Sequence, residues 1–251
     1  MVVEALARSD EAVRARPTRR RIHRGAKRIV DVIVALLLLL LTLPLMLFII
    51  VLLQIEAPGS PFYRARRVGY GGAPLMVLKF RKMAVNAGGP PLTVADDPRL
   101  SRLGAFMVRT RIDELPQLWH VLRGQMSLVG PRPEDPRFVA LQHEGYASVL
   151  CVLPGITGWS QLAFAHERRL LNEADPLTDY VERILPAKVH LDRLYAEHAQ
   201  LHHDLEILVW TIVALVFGID VAVDRRTGRL RRRRPRSAGA PAGAAPARAA
   251  G

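Results

Sequence analysis

Two adjacent carboxylates, Asp113 and Glu114, lie in a helical pattern that is followed by a Gly-Pro-Arg-Pro turn carrying Arg132. Neighbouring acids repel each other unless a cation, a metal ion or a reaction holds them together. Clustered cations can hold phosphate groups, carboxylate oxygens bind divalent ions, and a carboxylate can attack phosphorus directly. Further cations bracket the pair, namely Lys79, Arg81, Arg109 and Arg111. The pattern favours phosphate chemistry, with solvated charges on a helix face as the alternative.

The overall charge of the chain points to an anionic partner. Among 251 residues, 36 Lys and Arg outnumber 23 Asp and Glu, which leaves a formal net charge of +13. Phosphates, nucleic acid and an anionic membrane surface all fit this excess. No RNP, zinc-finger or helix-turn-helix signature accompanies the arginines, so we expect no nucleic-acid partner and favour anionic membrane lipid. The single cysteine, Cys151, excludes an intramolecular disulfide and is expected to be a small packing residue.

A long apolar run, Ile29 to Ile55, precedes the region that carries these residues. It is longer than the core helix of a soluble protein needs to be, so it predicts a membrane segment. A cleaved signal peptide is the alternative. That interpretation is less favoured because the run exceeds a normal signal core and no small-residue cleavage site follows it.

The flanks and the middle of this run predict how it enters the membrane. Basic residues mark the cytoplasmic side, and they lie both before Ile29 and at Arg64, Arg66 and Arg67. A re-entrant helical hairpin that bends at Pro44 satisfies both flanks, because each arm of roughly 20 Å is too short to cross the roughly 30 Å hydrocarbon core. We expect the Thr42 hydroxyl to bind a carbonyl that Pro44 leaves free. A kinked helix that spans the membrane is the alternative.

The rest of the chain predicts a domain with short flanking segments. Turn signals around LMVLKF predict a small β-hairpin that ends near Lys79 and Arg81, and helical patterns follow over 100–121, 176–197 and 205–217. The last of these helices is apolar nearly all round, so we expect it to lie on the membrane surface or to be buried. The predicted divisions are a basic N-terminal segment at 1–28, the re-entrant membrane helix at 29–55, a catalytic domain at 56–222 and a disordered basic tail at 223–251.

Several motifs occur in one order along the chain: KRIVDVIVALLL, GSPFYRARRVGYGG, LKFRKM, DDPRLSRLG, RIDELPQLWHVLRGQMSLVGPRPE, LPGITGWSQL and DLEILVWT. Together they resemble the bacterial sugar transferase family, the monotopic polyprenyl-phosphate phosphoglycosyl transferases, in its small form. The resemblance runs from about residue 27 to residue 217. It implies an α+β, mainly helical domain that is membrane-anchored through an N-terminal re-entrant helical hairpin and carries a small β-hairpin.

The resemblance also implies a reaction at the cytoplasmic face of the bacterial inner membrane. Asp113 would attack a nucleoside diphosphate sugar, expected to be a UDP-sugar, and undecaprenyl phosphate would then accept the phosphosugar. Glu114, together with Asp113, would hold Mg²⁺. Substrate binding is expected from Lys79, Arg81, Arg109, Arg111, Arg132, Gln161 and Asp192. For the last two, bracing of helix packing is the alternative. The glycan pathway stays open, as does the formation of a homodimer.

Departures from the family pattern qualify these expectations. Lys82 stands where the family commonly has Thr, and Ala65 where Gln is often found, but neither is expected to touch the reaction centre. Val108 stands where an arginine is often found, and whether the neighbouring Arg109 takes its place stays open. QLAFAHERR replaces the family's QVNGR, which leaves the sugar unassigned. An inactive membrane scaffold for polysaccharide assembly and a basic module that binds nucleic acid or lipid are the alternative functions.

Overall fold

The computed structural model describes residues 17–83, 88, 92–94, 97–167, 170–172 and 174–233, with side chains from residue 25 onward. Helices predominate, which confirms the mainly helical α+β class. The α-helices are α1 Pro17–Glu56, α2 Arg102–Thr110, α3 Leu118–Leu122, α4 Pro136–Leu141, α5 His143–Val149, α6 Trp159–Ala163, α7 Pro176–Asp179, α8 Leu185–His198 and α9 Leu201–Phe217. The strands are β1 Phe62–Val68, β2 Pro74–Phe80, β3 Ser127–Val129, β4 Gly155–Thr157, β5 Val221–Val223 and β6 Leu230–Arg232.

The six strands form three two-stranded sheets. β1 and β2 make the predicted antiparallel hairpin, in which Tyr63 lies opposite Lys79. β3 and β4 pair in parallel, and this pairing brings Gly130 and Gly155 into contact. A Cβ atom on Gly155 would lie only 2.1 Å from the backbone nitrogen of Gly130, so glycine is needed for this close approach. The sheet thereby fixes the start of the Gly-Pro-Arg-Pro turn that carries Arg132.

Both ends of α1 pack against the domain that follows it. Near its C-terminal end, Met46, Ile49 and Leu53 are buried in one apolar cluster with Phe80 and Met107. Burial of a large aliphatic or aromatic side chain stabilises the folded state by about 1.5–3 kcal/mol. One side of α1 near its C-terminal end is therefore part of the core of the domain.

The first half of α1 is held by polar contacts and by burial of Ala35 in an apolar cluster of the domain. Lys27 Nζ donates to Asp204 Oδ2 at 2.9 Å and to the Val129 carbonyl at 3.0 Å. Arg28 donates to two carbonyl oxygens at the end of α3, and the Leu128 amide donates to the buried carboxylate of Asp31. Between the two attachment regions, most of the leucines of α1 are exposed.

The helical segment is continuous through Pro44 and is not divided into two separate arms. Thr42 does donate a hydrogen bond, but to the Leu38 carbonyl at 2.7 Å. The carbonyl that Pro44 leaves without its helical donor is that of Leu40, four residues before the proline. Within the described chain, Gly25–Glu56 is the helix that is long and apolar enough to cross a membrane. The re-entrant hairpin stays a prediction.

The predicted terminal segments are partly corrected by the structure. Residues 1–16 and 234–251 lie outside the described part of the chain, and residues 17–28 begin α1. The disorder predicted from residue 223 is wrong for the first part of the tail, because β6 pairs with β5. Gly228, in the turn between them at φ +70°, packs so closely on Trp159 that a Cβ atom would lie 2.3 Å from the indole ring.

Candidate active site

The carboxylate pair lies in a 3₁₀ helix, Ile112–Gln117, directly after α2. Arg111 joins the two helices in the left-handed backbone conformation, with φ at 60°, which is uncommon for a residue with a side chain. The conformation ends α2 and turns the chain sharply, so that Asp113 and Glu114 face inward. They are only 4% and 8% exposed, respectively. Arg111 Nη2 also donates to the Ala165 carbonyl at 2.7 Å.

Glu114 is held by two cations from different elements. Lys79, on β2, donates from Nζ to Oε1 at 2.9 Å. Arg132, on the Gly-Pro-Arg-Pro turn, makes a two-pronged contact with both carboxylate oxygens. Burial alone would raise the pKa of Glu114, but the charges of Arg132 and Lys79 hold this pKa well below its usual value. Glu114 therefore remains ionised and organises the cations around it.

Asp113 is in the opposite situation. Within the described chain, no group donates a hydrogen bond to its carboxylate. Burial and the neighbouring charge of Glu114 raise the pKa of Asp113, whereas the charges of Lys79, Lys82 and Arg111 act to lower it. A buried carboxylate with free oxygen atoms and cations nearby is available to react with a phosphate or to bind a metal ion.

Lys82 was expected not to touch the reaction centre, and in the described chain no hydrogen bond or ion pair joins it to the carboxylate pair, but its charge acts on both acids. Its charge interacts with those of Asp113, Glu114, Lys79 and Arg132. Burial is the larger cause and repulsion from Lys79 the next, and together they lower the pKa of Lys82 to about 8. The signal in the sequence was its position three residues after Lys79 in KFRKM, at the end of a predicted strand.

Two other predicted substrate-binding arginines are placed elsewhere. Arg81 Nη2 donates to the carbonyl oxygens of Leu53, in the last turn of α1, and of Ala57, just after it. Arg109 lies on the exposed side of α2 while Val108 is buried, and no contact joins Arg109 to the carboxylate pair in the described chain. The structure therefore gives no support for Arg109 in place of the missing arginine, whereas the charge of Arg111 does act on Asp113.

Gln161 and Asp192 have bracing positions. Gln161 Nε2 donates to the carbonyl oxygens of Gly130 and Gly155, at 3.2 Å and 3.4 Å, and so stabilises the parallel β3–β4 contact. Asp192 is 3% exposed on α8. Burial raises the pKa of Asp192 to about 7, although a hydrogen bond from Ser160 and the charge of Lys188 act in the opposite direction. These contacts match the alternative of helix bracing.

A second buried ionic cluster supports the turn that carries Arg132. Glu134 accepts a hydrogen bond from the Tyr180 hydroxyl at 2.8 Å, and the same hydroxyl accepts one from Lys188 Nζ at 3.1 Å. Lys188 also pairs with Glu167 at 3.0 Å. This cluster could not be predicted from the sequence, because its members come from three segments that lie far apart along the chain, with Tyr180 and Lys188 on one helical run. The one available signal was Glu134, which directly follows the Gly-Pro-Arg-Pro turn.

The donor set for a metal ion can be judged from these contacts. Mg²⁺ is commonly held by one or two carboxylates together with substrate phosphates. Asp113 fits this role because its oxygen atoms accept no hydrogen bond from the described chain. Glu114 fits less well, since Lys79 and Arg132 already occupy both of its oxygen atoms. Among the described residues, no group of three or more His, Cys, Asp or Glu side chains is arranged so that it could hold a metal ion.

The model of the bacterial sugar transferase family matches residues 22–218. The chain belongs to the bacterial sugar transferase family. A Bacillus subtilis (strain 168) relative is 41% identical over 156 residues, which cover 61% of this chain and 81% of that protein. The UDP-glucose:undecaprenyl-phosphate glucose-1-phosphate transferase of Caulobacter vibrioides is 38% identical over 196 residues, covering 76% of this chain and 69% of that protein. The UDP-N-acetylgalactosamine-undecaprenyl-phosphate N-acetylgalactosaminephosphotransferase of Aeromonas hydrophila is 35% identical over 76% of this chain and 44% of its own length.

This bacterial sugar transferase brings its membrane helix and its site together in one domain. The matched region begins inside α1 and ends at Gly218, just after α9, so it contains the apolar helix as well as the carboxylate pair. Lys79 and Arg132 contact Glu114 of that pair, and the charges of Arg111 and Lys82 act on it as well. The recognition made from the motifs is confirmed, and the apolar helix fits a membrane-associated enzyme.

Proposed function

We propose that this protein transfers a phosphosugar from a UDP-sugar to undecaprenyl phosphate and releases UMP. The observation that carries the proposal is the buried carboxylate of Asp113, which lacks a hydrogen-bond partner in the described chain and lies among cations. Relatives in Caulobacter vibrioides and Aeromonas hydrophila are named for this kind of transfer with two different sugars. The shared UDP-sugar class is therefore proposed, and no particular sugar.

In the first step, a carboxylate oxygen of Asp113 attacks the β-phosphorus of the UDP-sugar. The bond from this phosphorus to the bridging oxygen breaks, and UMP leaves with the electron pair. The carboxylate needs no general base, because it reacts in its ionised form. Lys79 and Arg132 hold negative charge on the phosphates, and the charge of Glu114 keeps these two cations in place.

In the second step, a phosphate oxygen of undecaprenyl phosphate attacks the phosphorus bound to Asp113. The acyl phosphate bond breaks and returns the carboxylate, while a new diphosphate links the sugar to the lipid. This path needs an ionised nucleophile and no general base. The neighbouring Glu114 contributes positioning, since its own oxygen atoms are engaged by cations.

The proposal includes Mg²⁺, which Asp113 would hold. A divalent cation would supply positive charge to the diphosphate as charge develops on the leaving group. For Glu114 to join as a ligand, its carboxylate would have to leave Lys79 or Arg132. This difference supports a larger role for Asp113 than for Glu114 in metal binding.

We further propose that α1 re-enters the cytoplasmic face of the bacterial inner membrane without crossing it. The path along a straight helix from Lys27 to Leu53 would be about 39 Å, longer than the roughly 30 Å hydrocarbon core. A straight span would hold these two residues on opposite sides of the membrane. One domain contacts both of them, through Asp204 near the first and Phe80 near the second. This supports a helix that bends near Pro44 and leaves both attachment regions on one side.

The test of the function is UMP release by purified protein in detergent. Wild-type enzyme given a panel of UDP-sugars without lipid acceptor should release about one UMP per enzyme and gain the mass of one phosphosugar on the peptide that contains Asp113. Asp113→Asn keeps the shape of the side chain and removes its nucleophilic charge. It should lower UMP release by at least about a thousandfold, as expected for loss of a nucleophile.

Asp220→Asn is the matched control, because Asp220 is an exposed acid that pairs with His166 at 3.0 Å on the surface. It should retain the activity of the wild type within about twofold. If folded Asp113→Asn keeps a tenth or more of the wild-type rate, covalent attack by Asp113 is wrong. Direct attack by the lipid phosphate on the UDP-sugar would then take its place.

A further inference from the structure

Lys82 is fixed in position by its backbone. Its carbonyl oxygen accepts a hydrogen bond from the Ser101 amide at 3.2 Å, and the next residue, Met83, forms a β-bridge with Leu100. Gly104 on α2 packs directly against it, since a Cβ atom there would lie only 1.9 Å from the Lys82 carbonyl oxygen. The chain therefore approaches α2 as closely as glycine allows, and the lysine is held beside the helix that leads to Asp113.

The ammonium group of Lys82 is partly buried but uses only one of its three hydrogen-bond donors in the described chain. Nζ donates one hydrogen bond, to the Thr93 hydroxyl at 3.1 Å, and can donate two more. No carboxylate lies within ion-pair distance of Nζ in the described chain. A partly buried cation that lacks an anionic partner is costly, so an incoming anion would stabilise it. Lys82 follows three residues after Lys79, whose Nζ pairs with Glu114 at 2.9 Å, and its charge acts on Asp113 and Arg132.

Charge balance indicates which anion fits. Four cations act on the carboxylate pair, namely Lys79, Lys82, Arg111 and Arg132, and they leave an excess of two positive charges over Asp113 and Glu114. The diphosphate of a nucleotide sugar carries two negative charges, one on each phosphate. Lys79 and Arg132 already share Glu114, whereas Lys82 is free to turn its hydrogen bonds to a ligand.

We propose that Lys82 is an additional substrate-binding residue that donates to the diphosphate of the nucleotide-sugar donor. This inference rests on the proposed function and deepens it. Lys82 acts on the affinity for the donor and is not required for the chemical step, which belongs to Asp113. It makes this chain a tighter binder of nucleoside diphosphates than a threonine at the same position would.

The competing explanation is that Lys82 serves only to tether the segment that carries Thr93. Two sets of variants separate the explanations. Lys82→Met and Lys82→Thr remove the cation, whereas Thr93→Val keeps the shape of its side chain and removes the hydroxyl that Lys82 binds. Lys82→Arg retains the positive charge. The probe is UDP, measured by calorimetry on the full-length protein in detergent, with uridine as the uncharged comparison.

Both neutral variants should bind UDP at least about tenfold more weakly than the wild type, as expected for a lost hydrogen bond to a charged group. Lys82→Arg and Thr93→Val should stay within about threefold of the wild type, and uridine binding should be equal in all folded variants. The KM for the UDP-sugar should rise with the UDP dissociation constant, while kcat for UMP release stays within about threefold.

Two results would overturn the proposal. One is UDP binding by folded Lys82→Met and Lys82→Thr within threefold of the wild type. The other is a loss in Thr93→Val equal to that in Lys82→Met, which would show a tether. Failure of the proposed function has a different signature, since the wild type itself would then release no UMP from any UDP-sugar.

Discussion

Asp113 and Glu114 show how two acids of similar chemistry acquire different properties within one turn. Glu114 meets Lys79 and Arg132, which lower its pKa, whereas burial and its neighbour raise the pKa of Asp113. Divergent environments for a pair of titratable groups are typical of catalytic sites. Here the difference separates a residue that organises cations from one whose oxygen atoms are available to react.

A second buried acid gives a prediction about pH. The pKa of Asp192 is about 7 in the folded protein, against 3.8 as its ordinary value, because of burial. Between these values the folded state binds more protons than the unfolded state, so this residue makes the protein less stable as the pH rises through this range. Asp192→Asn removes the effect. The Tm of Asp192→Asn relative to the wild type should increase between pH 5 and pH 8 in thermal unfolding scans.

Asp179→Asn is a suitable comparison for this experiment. Asp179 pairs with Arg183 on the surface, and that contact lowers the pKa of Asp179 to about 2. Its substitution should produce a Tm difference that is nearly constant above pH 5, because Asp179 is fully ionised in that range in both states. A flat difference for Asp192→Asn as well would mean that Asp192 is ionised in the folded protein at pH 5.

The site residues that could be predicted were those inside one continuous motif. Asp113, Glu114 and Arg132 lie within about 20 residues of each other, so their joint role was visible in the sequence. Arg81 could not be separated from Lys79 in this way, because β2 ends at Phe80 and the chain then turns Arg81 toward the end of α1. The direction in which a side chain leaves the end of a strand depends on tertiary contacts, which spacing alone does not report.

At the scale of elements, α1 combines two roles in one helix. Its Leu37, Leu40 and Leu41 side chains are exposed, whereas Ile49 and Leu53 are buried against the domain. The exposed group suits the interior of a membrane, and the buried group stabilises the protein fold. The sequence predicted the first role from the length of the apolar run. It did not reveal the second role, because leucine and isoleucine suit lipid and a protein core equally well.

Cysteine labelling tests the topology of α1. In a Cys151→Ala background, Gly25→Cys and Arg66→Cys introduce thiols at exposed positions before and after the apolar run. Both should react with a membrane-impermeant maleimide in inverted membrane vesicles, and neither should react in intact spheroplasts. Leu41→Cys, at an exposed position in the middle of the helix, should react in neither preparation.

Labelling of Gly25→Cys and Arg66→Cys from opposite sides would contradict the re-entrant topology. It would show a spanning helix, and the contacts of Lys27 or those of Leu53 with the domain would then have to break in the membrane. Equal labelling of Leu41→Cys in both preparations would indicate a helix that lies on the membrane without entering it.

The β5–β6 hairpin is ordered in a region where the sequence predicted disorder. Its second strand, β6, lies in an arginine-rich stretch that was assigned to a disordered tail because it contains few apolar residues. Order comes from the turn, where Asp224 Oδ1 accepts hydrogen bonds from the amides of Arg226 and Thr227, and from packing of Gly228 on Trp159. The Asp-Arg-Arg-Thr-Gly sequence was a turn signal, but its packing partner lies nearly 70 residues earlier in the chain.

At the scale of the whole molecule, exposed apolar surface occurs on α1 and on α9. On α9, Leu205, Val209, Ile212 and Val216 lie on one exposed side of the helix at three- and four-residue spacing. The arginines of the β5–β6 hairpin follow this helix directly. Apolar side chains next to cations are typical of a surface that contacts anionic lipid, which supports the proposed association with the membrane.

Truncation separates the structural part of the C-terminus from the part that only carries charge. A chain that ends after Arg233 keeps the β5–β6 pair and should have the Tm of the full-length protein within about 1 °C. A chain that ends after Arg225 loses β6 and Gly228, so Trp159, which is 2% exposed, becomes accessible to water. Its Tm should fall by at least about 3 °C in thermal scans, as expected for loss of about 1 kcal/mol of apolar burial.

The same two chains can be compared by flotation with vesicles. Removal of residues 234–251 should weaken attachment to anionic vesicles, because it deletes three arginines, and leave attachment to neutral vesicles unchanged. UMP release in detergent by the longer truncated chain should stay within about threefold of the wild type. A large loss of turnover in that chain, with unchanged Tm, would show that the deleted residues contribute to the active site.

The packing of Ile49 and Leu53 into the domain has a consequence for how the protein is made. α1 precedes the domain in the chain, so it leaves the ribosome first and can reach the membrane while the rest is still being synthesised. The cluster that joins Ile49 and Leu53 to Phe80 and Met107 can form only later, when the domain has been synthesised and packs against the helix. Biogenesis would then be ordered, with lipid insertion first and completion of the active site second, and newly made enzyme would become active only at the surface where its lipid acceptor resides.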